Sequence, residues 1–323
     1  MKLMKTLMMA AAITLTAGAA SAQVKWDLPT GYSDGNFQTQ NVRAFVADVE
    51  KAAPGKIAIT VHSNGSLLKM PEMRRGVASG QVQAAELLVS VLSNENPVFG
   101  FDSVPGLVGS YDEAKKLYAA AKPALAAQLD KAGLVLLYSV AWPPQGIYTK
   151  EPINVLADLK GKKFRSFNPT TARIAELLGA SPVTIQVPEI AQAFRTGALD
   201  AMLTSSATGV DSQAWDYLTH FYDVQAFLPQ NIVVANKAAF EALPADVKKA
   251  LTDSAAAAET RGWKLSEDLN AGYKKTLAEK GIKVIEPSAA VKAELAAIGK
   301  TIGGEWAKRA GAEGEAILKA IGK

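Results

Sequence analysis

Apolar and polar positions alternate with period two from residue 24. Val24-Lys25-Trp26-Asp27-Leu28 predicts a strand. A polar loop at 29–35 follows. Residues 36–53 then place Val42, Phe45, Val46 and Val49 on one helical face, and Pro54-Gly55 ends the run. Residues 56–62 alternate again through Ile57, Ile59 and Val61, a helix is predicted at 71–79, and strands at 82–88 and 134–141. Strands alternating with helices predict an α/β fold with a mainly parallel sheet.

The pattern also echoes itself. Pro71-Glu72-Met73 through Gly80-Gln81-Val82-Gln83-Ala84 resembles Pro188-Glu189-Ile190 through Gly197-Ala198-Leu199-Asp200-Ala201, at a constant offset. Pro and Glu suit a first helical turn, Gly suits the helix end, and a strand follows directly. Gly55-Lys56-Ile57-Ala58-Ile59 likewise resembles Gly161-Lys162-Lys163-Phe164-Arg165. Two similar lobes are therefore expected. Residues 243–280 are helical in composition apart from Gly262 and Gly272. They read either as one helix crossing both lobes, bent near a glycine, or as two helices with a tight turn. Residues 287–322 read as Ala-rich packing helix.

Composition changes this picture at the ends. Lys2 and Lys5, an apolar run from Leu7 to Leu15 and Ala20-Ser21-Ala22 form an export signal with cleavage expected after Ala22. The expected location is the periplasm. The absence of cysteine rules against a lipid anchor, thiol catalysis and thiolate metal sites. Lys2 and Lys5 account for two of the 35 basic residues, so 33 against 31 acidic residues leave +2 beyond the signal. These charges are interspersed, which argues against nucleic acid as a partner.

Catalytic equipment is sparse. The two histidines, His62 and His220, are far apart in sequence, and no phosphate-binding or nucleophile-elbow motif occurs. No enzyme activity, cofactor or metal is expected; a carboxylate-dependent secreted hydrolase is the least favoured alternative. Polar and aromatic residues instead gather after the strands, where open α/β sheets bind ligands. Tyr32, Asn36 and Phe37 follow the first strand. Trp142, Gln145 and Tyr148 follow the strand at 134–141. Thr204 and Ser205 follow the second echoed strand, and Trp215 ends a short helix. Glu86 interrupts the apolar Ala84-Ala85-Glu86-Leu87-Leu88 and needs a partner, either a protein cation or a ligand amine or hydroxyl.

Arg165 stands out. It ends a short strand, and Asn168 reads as the N-cap of a helix whose first residue is Pro169. A guanidinium fork beside free helix N–H groups suits a carboxylate; an ordinary pairing with a structural Asp or Glu is the other reading.

The run Asp158-Leu159-Lys160-Gly161-Lys162-Lys163-Phe164-Arg165, then Leu178-Gly179-Ala180-Ser181-Pro182-Val183, then Ala193-Phe194-Arg195-Thr196-Gly197-Ala198-Leu199-Asp200-Ala201 resembles the extracytoplasmic solute receptors of TRAP transporters, the DctP-like family. The resemblance covers the chain after the signal. It implies a two-lobed periplasmic binding protein with a ligand cleft and a long helix crossing both lobes. The lobes are expected at 23–142 plus 231–270 and at 143–230 plus 271–323. It implies a monomer that captures a small carboxylate and delivers it to TRAP membrane permease subunits in a sodium gradient, with Arg165 pairing with the substrate. Many members have Asn-Pro near Thr204 to Ser206 and a second Arg near Gly146; this chain has neither. A monocarboxylate with an apolar or aromatic body is therefore expected. A C4-dicarboxylate or amino-acid-like ligand, or presentation to a sensor, are the alternatives. The binding set expected is Arg165, Asn168, Trp142, Gln145, Tyr148, Thr204, Ser205, Trp215, Glu86, Tyr32 and Phe37.

Overall fold

The computed structural model describes residues 23–323; the export signal expected at 1–22 lies outside the described residues. In chain order the elements are β1 (Val24–Pro29), α1 (Phe37–Ala52), β2 (Ile57–His62), α2 (Met70–Ala78), β3 (Ala84–Leu88), α3 (Tyr111–Lys131), β4 (Leu134–Ala141), β5 (Gln145–Thr149), β6 (Lys163–Ser166), α4 (Pro169–Leu177), β7 (Ser181–Thr184), α5 (Ile190–Arg195) and β8 (Ala201–Ser205). There follow α6 (Ser206–Asp211), β9 (His220–Tyr222), β10 (Gln230–Asn236), α7 (Lys237–Glu241), α8 (Ala245–Glu279), β11 (Lys283–Ile285) and α9 (Ala289–Ala320). The strands expected at 24–28, 56–62, 82–88 and 134–141 become β1, β2, β3 and β4. The face of Val42, Phe45, Val46 and Val49 is buried on α1, which Asn36 caps by accepting from the Gln38 N–H.

The strands form two lobes. In the first, parallel β1 and β2 meet β3 through a bridge from Thr30 to Glu86, and β10 lies antiparallel between β3 and β4. The second carries one sheet in the order β11-β9-β5-β8-β6-β7. The expectation of a mainly parallel sheet is corrected: both sheets are mixed. β5 enters the second lobe antiparallel to β8 and β9, and β10 returns antiparallel to both its neighbours. Side chains alternate with period two in either direction, so the pattern carries no direction.

The echo is structural at one of its two places. β3 and β8 stand third from the edge in the orders β2-β1-β3 and β7-β6-β8, and the preceding glycines, Gly80 and Gly197, both have left-handed backbone. The second echo does not hold, because it aligns the edge strand β2 with β6, which is one strand further in.

Residues 245–279 form one helix of 35 residues, neither broken nor divided at Gly262 or Gly272. At 1.5 Å per residue α8 is about 50 Å long. It packs on α1 and β4 of the first lobe and on α6 and β11 of the second. Gly262 permits this. A Cβ there would lie 2.3 Å from a Val140 methyl. α9 also touches both lobes, through α3 and α4, and is interrupted at Gly311. No helix among the described residues is long and apolar enough to cross a membrane.

Candidate ligand site between the lobes

Arg165 is the third residue of β6, paired with Val183 of β7 and Met202 of β8, and only 1% of its surface is exposed. Its Nε donates to the Ile185 carbonyl at 2.9 Å, and the guanidinium carbon lies 5.2 Å from the centre of the Phe167 ring. Nη1 is buried with no hydrogen-bond partner. No carboxylate among the described residues forms an ion pair with it. The reading as a structural Arg–carboxylate pair is thereby set aside. Burial pulls the guanidinium down to about 10 from its ordinary value. A buried cation with an idle N–H is costly until an anion meets it.

Arg165 lines a cavity between the lobes. Tyr32, Met70, Leu88 and Trp142 form one wall. Arg165, Phe167, Gln145 and the Gln186–Val187 turn form the other, with Thr204, Ser205 and Thr208 at its end. Arg165 is the one charged lining residue among those described.

Local structure fixes these groups. Trp142 leaves β4 with its N–H bound to the Pro229 carbonyl at 2.7 Å; its indole N–H donates to Asn231 Oδ1 at 2.9 Å. The Tyr32 and Phe37 rings meet it edge-on, with centroids at 4.9 and 5.2 Å. The Gln145 amide donates to the Pro143 carbonyl at 2.8 Å. Ser205 caps α6, its Oγ accepting from the Thr208 N–H at 3.0 Å.

Six of the expected residues therefore line the cavity: Tyr32, Trp142, Gln145, Arg165, Thr204 and Ser205. The other five do not. Asn168 caps α4, accepting from the Thr171 N–H at 2.7 Å, and its amide donates to Ser90 and Ser103. Its capability as a donor is spent joining the lobes. Tyr148 lies within β5, not in a loop beyond a strand end. Its ring packs on Phe221 and its hydroxyl donates to the Ser205 carbonyl. Trp215 sits half-buried under the Lys280 ammonium. Phe37 stands behind Trp142, and Glu86 stands behind Asn231 with neither a cation nor the cavity beside it. The lining residues Met70, Leu88, Phe167, Val187 and Pro229 left no signal beyond hydrophobicity. Thr208 was detectable from its capping distance to Ser205, and Asn231 as a polar residue inside an apolar strand.

Gly146, beside Thr204 in the β5–β8 register, has no room for a side chain. A Cβ there would lie 2.1 Å from the Phe221 ring and 2.7 Å from the Tyr222 carbonyl.

The family model described as "Bacterial extracellular solute-binding protein, family 7" (DctP) matches residues 30–309. A Bordetella pertussis extracytoplasmic solute receptor binding pyroglutamic acid, DctP7, is 50% identical with a TM-score of 0.92, covering 93% of this chain and 100% of that one. A marine metagenome TRAP solute-binding protein specific for pyroglutamate, solved with the co-purified compound, is 38% identical with a TM-score of 0.91, over 93% and 98%. The Escherichia coli 2,3-diketo-L-gulonate-binding periplasmic protein YiaO is 26% identical over 84% of each chain.

Proposed function

The chain belongs to bacterial extracellular solute-binding protein family 7 and is a TRAP-type solute receptor rather than an enzyme, and from that premise we infer that its ligand is a small monocarboxylate of the pyroglutamate type. The observation that carries this is the single cation in the cavity. One ligand carboxylate on Arg165 balances that charge and gives Nη1 its missing acceptor. A second carboxylate would lie desolvated with no cation to meet it. The body of the ligand would rest on Trp142, Met70 and Leu88. Gln145, Thr204, Ser205 and Thr208 offer hydroxyl and amide groups suited to a lactam's N–H and C=O. Two pyroglutamate-binding receptors at 38 and 50% identity support the reading.

The receptor closes by hinge motion between lobes at 23–142 plus 231–270 and at 143–230 plus 271–323, and hands its ligand to the membrane permease under a sodium gradient. A thermal-shift and calorimetric screen tests the ligand class. Pyroglutamate and related cyclic monocarboxylates should stabilise the protein, by about 4 kcal/mol at a thousand times the dissociation constant. Stabilisation by succinate or neutral sugars, with none by pyroglutamate, would refute it.

A further inference from the structure

Glu86 lies in the middle of β3, buried and without a cation. Its Oε1 accepts from Asn231 Nδ2 at 3.0 Å, and its Oε2 shares a short hydrogen bond with the Thr30 hydroxyl. The same Asn231 carboxamide turns its oxygen the other way. Oδ1 accepts from the Trp142 indole N–H at 2.9 Å and from the Tyr32 hydroxyl at 3.2 Å. Glu86 and Asn231 do not line the cavity, but Tyr32 and Trp142 do.

The chemistry of an amide makes this chain directional. Asn231 has one donor end and one acceptor end. Two donors, an indole and a phenol, converge on one end, so that end must be the oxygen. The nitrogen then needs an acceptor on the opposite side, deep in the first lobe, and the carboxylate of Glu86 supplies it. An apolar residue at 86 would leave the amide nitrogen buried and idle and its orientation undefined.

We propose that Glu86 is a positioning residue for the anion site, holding Tyr32 and Trp142 in place through the carboxamide of Asn231. The ligand assay below rests on the monocarboxylate reading; the spectroscopic one does not. Two titratable groups face Glu86. They are Tyr32, from the loop after β1, and Tyr138 on β4, and burial holds both phenols neutral. Arg165 lies beyond Tyr32 and Arg261 of α8 beyond Tyr138. Thr30 and Val233, its β10 partner, bring no titratable group. Burial pushes Glu86 up to about 7 and raises Asp102, which accepts from the Gln230 N–H beside Asn231, to about 7 as well, so the Glu86→Gln spectra are needed to assign the change to Glu86. Gaining or losing its proton alters the acceptor that holds Asn231, and the change reaches Trp142.

The test is 15N NMR of the tryptophan indole N–H groups in the unliganded protein from pH 5.5 to 8.5. Five resonances are expected, with Trp142 identified by its loss in Trp142→Phe. The Trp142 resonance should titrate with a midpoint near 7 in the wild type and stay fixed in Glu86→Gln. A resonance that does not move, or moves alike in both proteins, overturns the proposal. Calorimetry with pyroglutamate at pH 6 then reads the consequence. Glu86→Gln, which retains an acceptor, should bind within about threefold of wild type. Glu86→Leu should lose about tenfold or more, and equal affinity in both variants overturns the proposal. Should Glu86→Leu not fold, the wild-type and Glu86→Gln spectra decide. Should the wild type not bind pyroglutamate, the ligand reading falls and the same spectra still decide the role of Glu86.

Discussion

Replacing Arg165 by Met separates holding the fold from holding the ligand. The guanidinium is buried and pulled from its ordinary value down to about 10 by desolvation. At 1.36 kcal/mol per unit, this is a penalty on the order of 3 kcal/mol against keeping the cation in place. Met has similar length and no charge. It forfeits the bond from Nε to the Ile185 carbonyl, about 1 kcal/mol, and leaves that carbonyl short of a donor. The empty protein should therefore be as stable as wild type or up to ~2 kcal/mol more stable, a shift of only a few degrees. Binding should suffer far more. Two charge-assisted hydrogen bonds at about 1.5–3 kcal/mol each amount to roughly a hundred- to ten-thousand-fold in affinity. Arg165→Lys keeps the charge and loses the fork, and should cost about tenfold or more. Scanning calorimetry without ligand and titration calorimetry with pyroglutamate read the two quantities. An Arg165→Met protein destabilised by more than ~2 kcal/mol that still binds would mean that the arginine is structural.

Further outcomes follow from the same geometry. Glu86 keeps its proton to about pH 7 in the folded protein, whereas the unfolded chain releases it near 4.5. Stability from this group therefore falls as pH rises between those values, and chemical denaturation of Glu86→Gln should show a weaker decline across that window. Asp102, also raised to about 7 by burial, adds a decline of the same sign, so Asp102→Asn should flatten the curve further if it folds. Gly146→Ala forces a methyl into the Phe221 ring and should cost about 1–3 kcal/mol, measured by denaturant unfolding. Intact-mass analysis of exported protein should place the mature N-terminus at Gln23.

The legible part of this molecule was what short-range periodicity encodes. β1, β2 and α1 stood in the pattern because of their apolar periodicity, β3 and β4 as short apolar runs, and Arg165 was visible because a strand end, a cap and a Pro frame it. The cavity's apolar walls were not legible. Met70, Leu88 and Pro229 look like any core residues in sequence and come together only when α2, β3 and the segment before β10 pack side by side. Strand direction was hidden for a related reason. The choice between parallel and antiparallel is made by the crossovers at β5 and β10, not by side-chain alternation. Tyr148 and Asn168 misled because a polar tip near a strand end satisfies a backbone carbonyl or a cap as readily as a ligand. Glu86 was rightly seen to need a partner, but the answer was a hydroxyl and an amide, neither of them charged.

Gly146 also bears on how this receptor can change. A side chain at that position points into Phe221 and the β9 backbone, not into the cavity. Gly146→Arg would thus damage the second lobe before it offered a second charge to any ligand. For a descendant to gain a cation there, the ring at 221 must first shrink and the β5–β9 pairing loosen, and neither step helps binding alone. A lineage with this packing meets a valley of poorly folded intermediates before a second cation can arise at that position. Reshaping the cavity through Met70, Leu88 or Val187 at its walls, by contrast, remains one substitution away.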